Sequence, residues 1–274
     1  MLGCSSLFGL SSDPLKDTFL LYKRITAQYR NSEILRIIRS LIPDIIVSET
    51  KGGSNVVPLL NWFKNGFMRW TPKDPVCERC IAADEAHSYN CGISNNNNNS
   101  SSSSTSRSAI EAAPMQAQII MGNSWKMRKV EIFRCNACNY EYAFPRYGEI
   151  LKIAETRTGR CSEWSMLFGA MLSSLEIKSR IVHDFLDHCW NEAIILPNRK
   201  WAHVDSTLDY PISLNHPYYY EENWGKRYEY VLAFSSDKVE DVTQSYTLQW
   251  DIVQQRRKMN KKNVIDFPKI YSGI

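Results

Sequence analysis

The stretch from residue 157 to residue 192 constrains the fold of this chain most, because a tight turn leads there directly into a strongly apolar helical pattern. Gly159 and Arg160 form the turn, Cys161 follows it, and apolar side chains then recur at intervals of three and four residues. These side chains are Trp164, Leu167, Phe168, Met171 and Leu175. The N–H groups and the dipole at a helix N-terminus favour a thiolate over a thiol. Cys161 is therefore a candidate nucleophile.

Two later residues complete a possible catalytic set. His188 and Asp205 lie in strand-like segments at 188–196 and 200–205, which a short turn joins, so the two side chains can face each other across a hairpin. A nucleophilic Cys, a His base and an orienting Asp form a catalytic triad. On these residues alone, a small apolar core residue is the more usual role of such a Cys. His203, which shares a strand face with Asp205, is a rival base.

Two CxxC motifs indicate a metal site. Cys77 and Cys80 form the first pair and Cys135 and Cys138 the second, and four thiolates complete a tetrahedral zinc site with no open position for catalysis. A redox dithiol is the competing interpretation. Residues 92–108 form a low-complexity tract that is expected to be a disordered insertion between the pairs, and Cys91 at its edge is a poorer ligand candidate.

Composition excludes several classes of protein. The net charge of +4 gives no case for a nucleic-acid partner, and no apolar run is long enough to insert into a membrane. The first twelve residues are apolar but lack a basic segment, so no cleaved signal peptide is expected. Eight Cys that include two CxxC pairs fit a reducing compartment with a metal site, so the protein is expected in the cytoplasm, with the nucleus as a second location.

Several strings together carry a family resemblance. GRCSEW, DHCWNE and WAHVDS occur in this order, with two CxxC pairs upstream and YYYEENWGKRYEYVLAF downstream. This arrangement resembles the cytoplasmic peptide:N-glycanases of the transglutaminase-like, papain-related superfamily. The resemblance covers about residues 20–246 and is to the short fungal form. It implies an α+β fold with an antiparallel sheet, a nucleophile helix, a Cys4 zinc module and flanking helices.

The resemblance also implies an activity. A peptide:N-glycanase of this kind would use Cys161, His188 and Asp205 to cleave N-linked glycans from denatured glycoproteins exported from the endoplasmic reticulum, converting the glycosylated Asn to Asp. A proteasome-shuttle ubiquitin receptor is implied as a partner of the terminal helices at 13–42 and 244–259. Two rival functions stay open: a transglutaminase-type acyl transferase, and an adaptor that keeps the fold without catalysis.

Substrate contacts carry over by motif. Glu192 and Trp224 would contact the glycan, whereas Trp164 and Trp190 flank the nucleophile and the base and fit the core at least as well as a sugar site. The sequence departs from the family pattern at Ser162, where Gly is usual, and at Thr207-Leu208. These departures bear on substrate contacts and rate more than on reaction type.

Four segments are expected. Residues 1–70 form an N-terminal helical segment that packs on the core, and residues 71–145 form the zinc module. Residues 146–246 form the transglutaminase-like catalytic core, and residues 247–274 form a C-terminal helix and tail. Within these segments we expect a loop at 50–58, strands at 130–135, 140–147, 179–185, 188–196, 200–205, 228–234 and 238–243, and an amphipathic helix at 244–259.

Overall fold

A computed structural model gives the fold, and it describes residues 14–72, 75–80, 115–124, 126–259 and 267. The low-complexity tract at 92–108 and Cys91 lie outside these residues. The chain divides into two compact units. The first comprises Met1–Trp70 together with Tyr147–Ile274, and the second comprises Thr71–Arg146. Among the described helices, none has the length and apolar character needed to span a bilayer.

The first unit begins with short helices. They and the strand that follows are α1 (Pro14–Gln28), α2 (Ser32–Leu41), α3 (Asp44–Glu49), α4 (Val57–Trp62) and β1 (Arg69–Trp70). The Asn31 side chain accepts a hydrogen bond of 3.1 Å from the Ile34 N–H and so caps α2. The expected helices within 13–42 are confirmed. The expected loop at 50–58 is partly wrong, because Lys51–Gly53 forms a 3-10 turn and Pro58, in the first turn of α4, is compatible with a helix.

The second unit contains a three-stranded antiparallel sheet in its described part. Its strands are β2 (Met115–Ser124), β3 (Met127–Cys135) and β4 (Glu141–Tyr147), in the order β2-β3-β4. The strands expected at 130–135 and 140–147 are confirmed. The sequence analysis placed no strand at β2, although Met115, Ala117 and Ile119 alternate there with two Gln residues.

The remainder of the first unit carries its sheet and its most buried helix. The elements are α5 (Ile150–Thr156), β5 (Thr158–Gly159), α6 (Cys161–Ser174), β6 (Ser179–His183), β7 (Cys189–Ile195), β8 (Lys200–Val204), α7 (Tyr219–Trp224), β9 (Leu232–Phe234), β10 (Val239–Asp241) and α8 (Trp250–Met259). Five of the strands form one antiparallel sheet in the order β10-β9-β6-β7-β8. The expected α+β fold with an antiparallel sheet and a nucleophile helix is confirmed.

Helix α6 occupies the centre of the core. Every residue of α6 from Glu163 to Leu172 is buried, because the helix contacts α2 and α5 as well as strands β6 and β7. A second apolar cluster is built around a cross-strand row in which Val182 lies opposite both Trp190 and Ala233. Neighbouring residues of a strand point to opposite faces, so the sheet has apolar packing on both sides. Burial of both faces fixes the register of its strands.

Two boundaries near the C-terminus differ from expectation. The helix expected at 244–259 begins only at Trp250, and Thr243–Tyr246 forms a 3-10 turn that directs the Tyr246 hydroxyl to Glu192 at 2.8 Å. The strand expected at 228–234 is only three residues long. The side chain of Thr243 accepts a hydrogen bond of 2.7 Å from the Val231 N–H and takes the place of a strand partner there.

Candidate active site

Cys161 is the first residue of α6, and the turn before it is tightly held. The backbone N–H of Arg160 donates to the Glu163 carboxylate at 3.1 Å, and the Trp164 indole N–H donates to the carbonyl of Gly159 at 3.1 Å. A Cβ on Gly159 would lie 2.4 Å from the Cβ of Glu163, so no other residue fits this turn without displacement. The sequence thus places a partly exposed thiol at the positive end of a buried helix.

His188 and Asp205 meet across the β7–β8 hairpin. Strand β7 begins just after His188 and β8 ends just before Asp205, and their antiparallel register pairs Asn191 with Val204. The Nε2 atom of His188 lies 2.7 Å from the Oδ2 atom of Asp205, and both side chains are buried. This bond occupies Nε2, so Nδ1 is the imidazole nitrogen left for the thiol side of the site.

A buried carboxylate holds the loop that carries His188. The Oδ1 atom of Asp184 accepts hydrogen bonds from three successive backbone N–H groups: Leu186 at 2.9 Å, Asp187 at 3.1 Å and His188 at 3.0 Å. Its Oδ2 atom accepts from Lys226 at 2.8 Å, which offsets the buried negative charge. The backbone of His188 is therefore fixed independently of its imidazole.

The electrostatics of the site favour an ion pair. Hydrogen bonds from the thiol of Cys189 and from His188, with the charge of His188, hold the pKa of Cys161 well below its usual range, although burial acts against them. Burial alone would lower the pKa of His188, but the charge and hydrogen bond of Asp205 and contact with Cys161 raise it to about 10. Both shifts favour a pair of thiolate and imidazolium, the reactive form of a cysteine nucleophile.

Asp205 is saturated with donors. Its Oδ1 atom accepts from the backbone N–H of Thr207 at 2.8 Å and from the Thr207 hydroxyl at 2.7 Å. Its Oδ2 atom accepts from His188 and, at 2.7 Å, from the hydroxyl of Tyr220. Burial raises the pKa of this carboxyl group, but the charge and the hydrogen bond of His188 outweigh burial and hold the pKa well below its usual range.

His203 does not act at the thiol. Its Nε2 atom lies 2.6 Å from the hydroxyl of Tyr220, and its Nδ1 atom accepts from the backbone N–H of His216 at 3.3 Å. Both ring nitrogens are thus occupied away from Cys161. Burial lowers the pKa of His203 to about 4, which keeps the ring neutral at physiological pH. The arrangement favours His188 over His203 as the base.

The predicted substrate contacts differ sharply in exposure. The side chains of Trp164 and Trp190 are only 3% and 1% exposed and pack within the two apolar clusters. Trp224 is 44% exposed, and its ring meets the imidazole of His188 edge-on, with the ring centroids 5.1 Å apart. Trp224 therefore forms part of the accessible surface beside the base, whereas the two buried rings fit the packing interpretation. Their substrate roles stay predictions.

Glu192 is engaged within the protein. One carboxylate oxygen lies 2.5 Å from the guanidinium of Arg180, and the other accepts the Tyr246 hydroxyl bond. The guanidinium of Arg180 also lies over the ring of Trp201, 4.1 Å from its centroid. A buried ion pair needs this number of partners to offset desolvation. The predicted contact of Glu192 with a glycan stays a prediction.

The second unit brings the four predicted metal ligands together. The sulfur atoms of Cys77, Cys80, Cys135 and Cys138 all lie within 4.8 Å of one another. The sulfur atoms of Cys77 and Cys138 are 3.5 Å apart, and those of Cys80 and Cys135 are 3.8 Å apart. Two Zn–S bonds of about 2.3 Å at a tetrahedral angle separate their sulfur atoms by roughly 3.8 Å. The four thiols therefore fit a tetrahedral metal ion.

A comparison with known proteins finds a family that resembles part of this chain. A model described as the transglutaminase-like superfamily matches residues 115–206, a span that includes Cys161, His188 and Asp205. Residues 115–206 of this chain are therefore similar to the transglutaminase-like superfamily. A solved structure of Rad4-Rad23 crosslinked to undamaged DNA aligns with 98% of this chain and 56% of that one, at 12% identity and a TM-score of 0.42, which is too distant a likeness to carry an argument.

Three relatives of this chain share one name. The chain is similar to proteins named peptide-N(4)-(N-acetyl-beta-glucosaminyl)asparagine amidase from three kingdoms. It is 30% identical to the Caenorhabditis elegans protein over 89% of this chain and 37% of that protein. The Eremothecium gossypii protein is 35% identical over 70% of this chain and 47% of that protein. The Arabidopsis thaliana protein is 32% identical over 76% of this chain and 24% of that protein. The resemblance to peptide:N-glycanases is confirmed, although the chain spans less than half the length of these relatives.

Sequence reasoning missed three parts of the transglutaminase-like site. Tyr220 gave no signal because its partner Asp205 is fifteen positions away and the segment between them is irregular. In the sequence Asp184 looks like an ordinary residue at the end of a strand, and only the fold shows that three backbone N–H groups donate to it. Cys189, the residue after His188, was not singled out in the sequence, and its contact with Cys161 becomes visible only once β7 lies beside α6.

Proposed function

We propose that this chain is a thiol amidase that removes N-linked glycans from denatured glycoproteins and converts the glycosylated Asn to Asp. The observation that carries the proposal is the arrangement of Cys161, His188 and Asp205, in which a buried carboxylate holds an imidazole beside a thiol of lowered pKa. The shared name of its relatives supports the choice of substrate.

The proposed reaction has two stages. The thiolate of Cys161 attacks the carbonyl carbon of the Asn side chain, and the imidazolium of His188 gives its proton to the leaving nitrogen as the C–N bond breaks. The products are a thioester on Cys161 and a free glycan that carries a glycosylamine. His188 then takes a proton from water, the resulting hydroxide attacks the thioester, and breakage of the C–S bond restores the thiolate and leaves an Asp side chain. Asp205 keeps the imidazole in place throughout.

The test is incubation of the purified chain with a denatured high-mannose glycoprotein, with Cys161→Ala in parallel. The proposal expects free glycan and a mass change of Asn to Asp with the wild type, and neither product with the variant. Attachment of added amines to the substrate in place of hydrolysis would assign an acyl transferase. Binding of the glycoprotein without release, by a folded wild type, would assign an adaptor.

The Cys4 cluster is proposed to hold a structural zinc ion. Its four thiols leave no coordination position for a substrate, so the metal would stabilise the second unit without entering the reaction. Metal analysis of the purified chain and of Cys138→Ser tests this assignment. One zinc ion per wild-type chain and a loss in the variant are expected, and a metal-free, folded wild type would contradict it.

The cellular setting follows from the proposed substrate. We propose that the chain acts in the cytoplasm and the nucleus on misfolded glycoproteins during degradation associated with the endoplasmic reticulum. A proteasome-shuttle ubiquitin receptor is proposed to bind the terminal segments at 13–42 and 244–259. The second segment exposes the apolar side chains of Leu248, Ile252 and Met259. Unchanged binding of that receptor after substitution of these three residues by Ser would contradict the C-terminal part of the surface.

A further inference from the structure

We propose that Tyr220 and His203 are positioning residues of this site: the Tyr220 hydroxyl, oriented by His203, holds the Asp205 carboxylate toward the imidazole of His188. The inference rests on the thiol chemistry proposed above. It concerns two buried side chains on separate elements, Tyr220 on α7 and His203 on β8, which continue the hydrogen bonds of the triad beyond Asp205.

The backbone N–H of His216 determines the direction of each hydrogen bond from His203 through Tyr220 to Asp205. The backbone N–H of His216 can only donate, so Nδ1 of His203 must accept and carries no proton. The neutral ring then bears its proton on Nε2, which donates to the Tyr220 oxygen at 2.6 Å. The proton of the Tyr220 hydroxyl is thereby left for the Oδ2 atom of Asp205 at 2.7 Å.

The Tyr220 bond is placed where it affects the base. It reaches the same carboxylate oxygen that accepts from His188, whereas Thr207 occupies only the other oxygen. A donor on Oδ2 spreads part of its negative charge and fixes the plane of the carboxylate. Loss of this donor would leave Oδ2 more negative, strengthen its attraction for the imidazolium of His188, and let the carboxylate rotate.

Packing of the Tyr220 ring is separable from its hydrogen bonds. The ring contacts Trp190, with centroids 4.7 Å apart, and Trp224, with centroids 5.2 Å apart. A Phe ring in its place can make both contacts. Tyr228 is a matched control, because it is buried in the same apolar cluster and, among the described residues, its hydroxyl has no hydrogen-bond partner. Substitution by Phe removes one hydroxyl group at each position, but only the hydroxyl of Tyr220 is hydrogen-bonded among the described residues.

The experiment compares Tyr220→Phe with Tyr228→Phe in the full chain. We expect kcat for glycan release to fall on the order of tenfold in Tyr220→Phe, because a misplaced general acid costs rate at constant substrate binding, with KM unchanged. The titration of the His188 imidazole, followed by NMR of 15N-labelled histidines and assigned with His188→Gln, is expected to move to higher pH. Tyr228→Phe is expected to change neither quantity.

A second pair of variants tests His203. His203→Leu removes the donor to Tyr220 and is expected to move the His188 titration in the same direction as Tyr220→Phe. His203→Gln restores an N–H donor and is expected to return the titration toward the wild-type value. This pair keeps the inference testable if Tyr220→Phe does not fold.

The outcomes separate the two proposals. An unshifted His188 titration in both Tyr220→Phe and His203→Leu would overturn the positioning role, whatever the chain does to glycoproteins. A shifted titration in a protein that releases no glycan would uphold the positioning role and reject the amidase. A loss of folded protein in Tyr220→Phe, with His203→Leu folded and unshifted, would assign Tyr220 to packing alone.

Discussion

At the scale of single residues, the site depends on which atoms carry protons. The proposed reaction needs Cys161 as thiolate and His188 as imidazolium. As pH rises, activity should appear when Cys161 loses its proton, below the usual thiol range, and should disappear near pH 10, when His188 loses its own. A profile of kcat/KM from pH 5 to pH 11 is the measurement. A fall in activity near 6.5, the ordinary pKa of a histidine, would contradict the ion pair.

Cys189 offers a second prediction at this scale. Its thiol donates a hydrogen bond to the Cys161 thiolate, so Cys189→Ala should raise the pKa of Cys161. The pH midpoint for alkylation of Cys161 by iodoacetamide, read by peptide mass spectrometry, is expected to move upward. Cys189→Ser is the matched control, because a hydroxyl can still donate, and its midpoint should stay closer to that of the wild type. An unmoved midpoint in Cys189→Ala would show that His188 alone sets the thiolate.

The three proposed triad residues could be singled out in the sequence because each lies next to a strong local signal. Cys161 follows a glycine turn and opens an apolar helix, and His188 and Asp205 flank two strand patterns that a short turn joins. Tyr220 lies in an irregular segment, so only the folded chain shows that its hydroxyl reaches Asp205. Accessibility could be predicted in part: Trp164 lies in an apolar helical pattern and is buried, whereas only the folded chain shows that Trp224 is exposed beside His188.

At the scale of elements, the position of α6 depends on close approach at Gly169. A Cβ there would lie 2.5 Å from the hydroxyl oxygen of Tyr29, which donates to the carbonyl of Met166 at 2.7 Å. Gly169→Ala should therefore lower the free energy of unfolding by about 1–3 kcal/mol, the usual cost of overpacking. Gly66→Ala is the control, since its nearest contact would be an ordinary 3.5 Å. Urea unfolding of the two variants compares them, and equal stability would show that Tyr29 can move aside.

Element types were easier to predict than element ends. The strands beside His188 and Asp205 are five to seven residues long, carry Trp, Ile and Val, and are joined by a short turn at 197–199, which is a typical hairpin pattern. The amphipathic pattern of 244–259 extended too far, because Tyr246 satisfies it while its hydroxyl bonds to Glu192 in a 3-10 turn. A tertiary contact outweighed local propensity there.

At the scale of the whole molecule, the two units differ in what holds them together. In the described part of the second unit, the buried apolar side chains are Phe133 and Phe144, apart from two of the clustered cysteines. An ion pair of 3.1 Å between Arg146 and Glu131 is also buried there. The described residues thus give this unit little hydrophobic stabilisation, and small domains with so small a core commonly depend on a metal. The first unit has its own large core around α6 and needs no such support.

This difference predicts how the chain responds to loss of metal. Removal of metal by a strong chelator should open the second unit, because Cys77 and Cys80 lie far in sequence from the β3–β4 turn that carries Cys138, and a bound ion would join them. Limited trypsin digestion with mass spectrometry should then show new cuts within 71–146, while peptides from α6 and β7 stay protected. Added zinc should restore protection in the wild type but not in Cys138→Ser. Identical digestion with and without chelator, in a protein shown to contain zinc, would mean that the second unit stands without its metal.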